Sequence, residues 1–164
     1  LESRMNFIGI GYLGFETAKL DAWKEYGPQV MGFQVASPPE SDSDSLYFKM
    51  DDRRHRLAFH PGEIERVSYI GWEARNRLDF IDAVKALDEH NVEYEVGNTE
   101  LCDTRGVKGL VRFPDPVGYQ DEIFDAQKWT PGSFVPGRPH GGFVADQRGV
   151  GHIVLMTPEF PPEL

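Results

Sequence analysis

The stretch Gly9-Ile10-Gly11-Tyr12-Leu13-Gly14-Phe15-Glu16 constrains this chain most, because it returns twice. The first echo is Val67-Ser68-Tyr69-Ile70-Gly71-Trp72-Glu73, where Tyr-Leu-Gly-Phe-Glu becomes Tyr-Ile-Gly-Trp-Glu 57 residues later. The second, Gly149-Val150-Gly151-His152-Ile153-Val154-Leu155, keeps both leading glycines and sets His152 where Tyr12 and Tyr69 stood. Repetition at this period marks one supersecondary unit used several times, each copy burying its apolar face against the next.

The hydrophobic pattern gives the unit its content. Residues 7–17 read as a strand whose interspersed glycines mark a close approach of other groups. Residues 19–31 carry Leu20, Trp23, Tyr26 and Val30 at helical spacing, with Asp21 as the candidate cap. Gly27-Pro28 makes the last turn of that helix irregular. Short strands are expected over 33–36, 46–50 and 56–60, with a polar loop over 37–45. The second copy repeats the plan: a strand over 66–74, a helix over 78–90 with Phe80, Ile81, Val84 and Leu87 on one face, and strands over 94–96, 107–114 and 119–126. Residues 99–106 read as a polar loop. The expected fold is therefore α+β: two βαβββ modules (6–65 and 66–127) forming an incompletely closed eight-stranded sheet with helices outside. Residues 128–148, rich in proline and glycine, read as an interdomain linker. Residues 149–164 read as the first strand of a further domain.

Bulk properties exclude several classes of function. Seventeen basic and 27 acidic residues leave a formal charge of -10, which repels phosphate backbones and anionic lipid, so neither nucleic acid nor membrane is expected as a partner. No apolar run approaches the roughly 18 residues of a membrane helix. The single cysteine, Cys102, excludes an internal disulfide and fits a reducing, cytoplasmic compartment. Leu1-Glu2-Ser3-Arg4 ahead of Met5 reads as a vector-derived scar over 1–4.

Candidate chemistry follows from the repeat. The inward residue of each module's first strand, Tyr12 and Tyr69, and an acid on the last strand, Glu122, are expected to converge. Were these His, His and Glu, they would form the facial triad that holds Fe(II) with open positions. Neutral phenols are poor ligands, so the three are expected to be a vestigial, metal-free site, with tyrosine hydroxyls bonded to Glu122. His55, His60 and His140 read as surface or hairpin residues, His90 as a helix-end cation, and Cys102 as a bystander thiol. Trp23 and Trp72 read as core, and Trp129 as the opening of the linker.

These residues resemble the vicinal oxygen chelate superfamily, and more closely its two-domain type I extradiol ring-cleavage dioxygenases. The resemblance rests on Gly11-Tyr12-Leu13-Gly14-Phe15, on Asp115-Pro116-Val117-Gly118 leading to Glu122, on Gly142-Phe143-Val144, and on Asp146-Gln147-Arg148-Gly149-Val150-Gly151-His152. It implies a metal-free N-terminal domain, and a C-terminal catalytic domain in which His152 is the first of three Fe(II) ligands, the other two lying beyond this chain. It further implies a catechol-type aromatic substrate, O2 as cosubstrate and a homo-oligomer. With one ligand of three, the chain alone is expected to be inactive and structural. The alternative is a non-enzymatic small-molecule binding module of the same fold.

Overall fold

The computed structural model describes residues 6–145 and 148–156; the expected scar at 1–4, together with Met5, Asp146, Gln147 and 157–164, lies outside the described residues. The first module runs β1 (Phe7–Thr17), α1 (Leu20–Tyr26), β2 (Gln34–Ala36), β3 (Leu46–Lys49) and β4 (Leu57–Pro61). The second runs β5 (Arg66–Ala74), α2 (Arg77–Glu89), β6 (Glu95–Val96), α3 (Thr99–Arg105), β7 (Gly109–Pro114) and β8 (Gln120–Asp125). All eight strands join one open sheet in the order β2-β3-β4-β1-β5-β8-β7-β6. Each half reads the same outward from the centre, because β1 pairs with β4 and β5 with β8 in parallel, while β1 and β5 meet antiparallel.

The repeated motif explains that central seam. In the β1–β5 register Leu13 faces Ile70, Tyr12 faces Gly71, and Gly14 faces Tyr69. A Cβ on Gly71 would lie 2.3 Å from the Tyr12 ring, and one on Gly14 would lie 2.2 Å from the Tyr69 ring. Each module's tyrosine thus occupies space left by the other module's glycine. Leu13 and Ile70 point to the opposite face, into an apolar cluster with Ile10, Phe33, Phe48, Leu57 and Phe59. Leu20 and Trp23 of α1 cover that cluster, and Phe80, Ala83 and Leu87 of α2 pack the equivalent surface of the second module.

The helices meet expectation in one place and differ from it in two. The first ends in a π-helical turn, Gly27–Met31, where the Phe48 ring lies 2.4 Å from any Cβ on Gly27 and Pro28 lacks a donor, as the irregular last turn required. Asp21 does not cap it: the N-cap is Lys19, which has no side-chain cap bond, and its backbone N–H is taken by Thr17 Oγ1 at 3.0 Å. Residues 99–106 are not a loop. Asn98 accepts the Leu101 N–H at 2.8 Å, Gly106 at φ 67° closes the far end, and Leu101 and Cys102 pack beneath the Tyr12–Tyr69 face, so α3 sits on the inner side while α1 and α2 lie outside.

Residues 127–145 lie mainly against the first module, with Lys128 bonded to Gly106 and Asp103 of the second. Arg53 donates to the Gln127 carbonyl at 3.0 Å and its guanidinium stacks 4.4 Å from the Trp129 ring. Phe134 N–H bonds Asp52 at 2.6 Å, Val135 N–H bonds the Gln34 side chain at 2.8 Å, and Arg138 bonds the Val30 carbonyl at 2.7 Å. The third copy of the motif makes no strand over 149–156. β4 covers β1 only over Leu13–Thr17, and the segment meets the start of β1 beside it without forming a strand ladder. It crosses the sheet instead. Val150 N–H donates to the Ile10 carbonyl at 2.8 Å, Val150, Ile153 and Leu155 pack on the first cluster, and Tyr119 OH donates to the Met156 carbonyl at 2.9 Å.

His55 is a further correction, since it is interior and not on the surface. It is 1% exposed, its ring centroid 5.6 Å from that of Tyr12 and 4.9 Å from that of Tyr47. Neither ring nitrogen has a hydrogen-bond partner among the described residues. Burial first, and then the positive charges of Arg105, Arg54 and Arg56, lower its pKa from 6.5 to about 3.

Two predictions follow from this packing. Gly71→Ala drives a methyl into a Tyr12 ring already stacked 4.7 Å from Phe124; urea unfolding should show a loss of about 1–3 kcal/mol, and a neutral result would overturn the seam described above. For His55, the unfolded chain accepts a proton below about pH 6.5 that the folded chain refuses until about pH 3, so stability falls as pH drops across that window. His55→Leu should flatten that fall by up to about 1.4 kcal/mol per pH unit, read as unfolding free energy at pH 7, 6 and 5 in parallel with the parent. Superimposable pH profiles would refute it.

Candidate functional site

The seam places Tyr12 and Tyr69 side by side on the inner face, their ring centroids 5.9 Å apart and edge-on. β8 runs parallel to β5 and brings Glu122 opposite Gly71, directly beneath the Tyr12 ring. Tyr12 OH donates to Glu122 Oε2 at 2.6 Å, so two of the three residues expected to converge are joined. The Tyr69 hydroxyl does not reach Glu122 in this way; it meets His60 Nε2 at 2.9 Å. Its ring is already covered on one face, because Arg105 lies with its Cζ 3.6 Å from the ring centroid.

Arg105 is the residue that sequence reading missed. It is the last residue of α3, immediately before the left-handed Gly106, and is 8% exposed. Its Nε donates to Glu122 Oε2 at 2.9 Å and its Nη2 to Oε1 at 2.9 Å, a two-pronged pair in which Glu122 is 1% exposed. Each Glu122 oxygen is therefore engaged, one by Arg105 and one by Arg105 with Tyr12. The capping Asn98 and the closing Gly106 mark the ends of α3 in the sequence, but nothing local marks Arg105 as buried.

A second network adjoins the first. His60 Nδ1 lies 2.8 Å from Ser45 Oγ and 3.1 Å from Asp42 Oδ2, and Tyr47 OH donates to the same Asp42 oxygen. Burial outweighs the Asp42 carboxylate and lowers the His60 pKa, which leaves the ring neutral near pH 7. Its two ring nitrogens join the Tyr69 hydroxyl to the Ser45–Asp42 pair. His60 is thus part of the inner network and not a surface residue. Burial also pushes all three phenols up: Tyr12 well above its ordinary range, with Glu122 adding to the effect, and Tyr47 and Tyr69 likewise. Neutral phenols and a carboxylate neutralised by arginine offer hydrogen bonds and stacking, not metal coordination.

His152 stands elsewhere. It is exposed, in the segment that follows Gly149, and alternates with the inward-packed Ile153 and Leu155. Gly149 (φ 58°) lies so close to β1 that a Cβ there would be 2.0 Å from the Ile10 carbonyl oxygen. Among the described residues no three His, Cys, Asp or Glu side chains are placed to hold a metal ion. Cys102, read as a loop thiol, is on α3, half-buried, with Sγ 3.7 Å from the Gly97 carbonyl. No helix among the described residues is long and apolar enough to cross a membrane.

Comparison with known proteins matches this architecture. Residues 10–62 match the family described as Dihydroxybiphenyl dioxygenase BphC D1, which covers most of the first module. The chain is 34% identical over 154 residues to a biphenyl-2,3-diol 1,2-dioxygenase of Sphingomonas paucimobilis, covering 93% of this chain and 51% of that protein. It is also 34% identical over 154 residues to an iron-dependent extradiol dioxygenase of Rhodococcus jostii (strain RHA1), covering 93% and 50%. The crystal structure of BphC, a halotolerant catechol dioxygenase, superposes with a TM-score of 0.87 at 32% identity, covering 95% of this chain and 52% of that one. The chain spans about half the length of the curated relatives it matches. In its paired modules and sheet order the chain shares the vicinal oxygen chelate fold of these extradiol dioxygenases, and residues 10–62 match their Dihydroxybiphenyl dioxygenase BphC D1 domain.

Proposed function

We propose that this chain supplies the metal-free, supporting domain of an extradiol dioxygenase that opens a catechol-type ring with O2, together with the first residues of its catalytic domain. The observation that carries this reading is the saturation of Glu122. The carboxylate best placed to bind a ligand on the inner face is bonded at both oxygens by the chain's own Arg105 and Tyr12, and the face is roofed by α3. A domain closed in this way supports its neighbours; it does not turn over substrate. The same filling weighs against a small-molecule binding module, whose inner face would have to be open.

Fe(II), when bound in such an enzyme, supplies a centre at which catechol oxygens and O2 are held together. In this proposal the part played here is limited to one ligand, His152, while the remaining ligands belong to other residues of the full enzyme. Residues 128–148 act as the interdomain linker, and their fixed course over 128–145 favours a set orientation of the catalytic half over a free tether. Val154 and Met156, two and four residues past His152, are 82% and 88% exposed, and Val144 is 79% exposed, apolar side chains suited to burial against that half or against another subunit in a homo-oligomer. The acidic charge and lone cysteine fit a cytoplasmic enzyme.

Anaerobic Fe(II) titration of this chain by calorimetry, beside a His152→Ala control, tests the assignment. The expected result is no stoichiometric binding at micromolar concentration and no cleavage of catechol or 2,3-dihydroxybiphenyl in air. Tight binding that disappears in the His152→Ala variant, or ring cleavage, would overturn it.

A further inference from the structure

The group that neutralises Glu122 has the makings of a bound ligand. Arg105 presents the edge of its guanidinium to the carboxylate through two N–H···O contacts of 2.9 Å, and its plane to the Tyr69 ring at 3.6 Å. Tyr12 fixes the carboxylate from the other side at 2.6 Å. These walls come from β1, β5 and β8, and the cation alone comes from α3. That helix is tied across the mouth of the sheet by its own contacts: Thr104 Oγ1 to Ser41 Oγ at 2.7 Å, Arg54 to the Asp103 carbonyl at 2.7 Å, and Lys128 to the Asp103 carboxylate at 2.8 Å.

We propose that the inner face at the seam of the two modules is a binding site for a guanidinium cation, which the chain fills with its own Arg105 by seating α3 as a stopper. The donor set defines the ligand class. A planar, delocalised cation satisfies both carboxylate oxygens at once and stacks on an aromatic face, whereas an ammonium lacks the fork and a divalent ion gains nothing from the ring or from protonated phenols. The site rests on the same Glu122–Arg105 pairing as the supporting-domain reading, but its failure shows in thermal stability and that of the supporting-domain reading in iron binding or ring cleavage, so the two are distinguishable.

Chemical rescue tests it. Arg105→Ala strands a buried carboxylate and should lower the melting temperature by about 6–20 °C. Methylguanidinium at roughly 20 mM, far below the molar range in which guanidinium denatures, should raise that of Arg105→Ala by about 5–10 °C near saturation. The unsubstituted chain and the double variant Arg105→Ala/Glu122→Gln should not respond, and neither ammonium nor Mn(II) should replace methylguanidinium. If Arg105→Ala does not fold alone, circular dichroism during refolding gives the same reading, since native signal should return with methylguanidinium and not with ammonium. The proposal fails if methylguanidinium restores neither stability nor folding, if it stabilises the unsubstituted chain equally, or if Mn(II) rescues in its place.

Discussion

The exchange of tyrosine for glycine across the β1–β5 seam is the contact on which the remaining structure depends. Two antiparallel strands carrying the same Tyr-x-Gly step can lie in register only one way round, each ring over the other's glycine, with Leu13 and Ile70 at the centre. That register fixes the order of every other strand, because β4 and β8 take the free edges of β1 and β5 and the outer hairpins follow. A bulkier residue at either glycine would push the modules apart at the point where both cores meet.

Filling the centre with phenols has an electrostatic consequence. A buried hydroxyl needs an acceptor, and Glu122 provides one to Tyr12. A buried carboxylate in turn needs a cation. No strand of the inner face delivers one there; α3 does, and its placement beneath the sheet is therefore tied to the tyrosines 93 and 36 residues before Arg105. Tyr69 solves its own requirement through His60 and Asp42. The inner face is consequently a continuous polar network walled by aromatic rings, closed by charge pairing and not by apolar packing alone.

The strands were legible because their apolar residues alternate between punctuating glycines and prolines, and the repeat made the two-module plan legible as well. The first module's irregular helix end was visible in Gly27-Pro28. α3 was not, since only Leu101 and Cys102 of its seven residues are apolar, and its signals were an asparagine cap and a closing glycine at polar positions. Of the site, Tyr12, Tyr69 and Glu122 were found by pairing the repeat with the last strand. Arg105 and His55 escaped because an arginine in a polar run and a histidine in a charged turn carry no local mark of burial; both are made interior by partners distant in sequence. The third Gly-x-Gly step, read as the first strand of a further domain, lies outside the eight-stranded sheet over 149–156.

The course of residues 127–145 bears on colloidal behaviour. An open sheet of eight strands presents two edges, and unpaired edges are templates for aggregation. At one edge, β2 is three residues long, with the segment around Val135 and Gly137 bonded to the Gln34 side chain and the Gly32 carbonyl beside it. At the other, β6 is two residues long and carries the Glu95–Arg112 ion pair. The proline- and glycine-rich stretch therefore also guards an edge, lying along β2 where another molecule's strand would otherwise add, and a sheet that never closes into a barrel can remain dispersed.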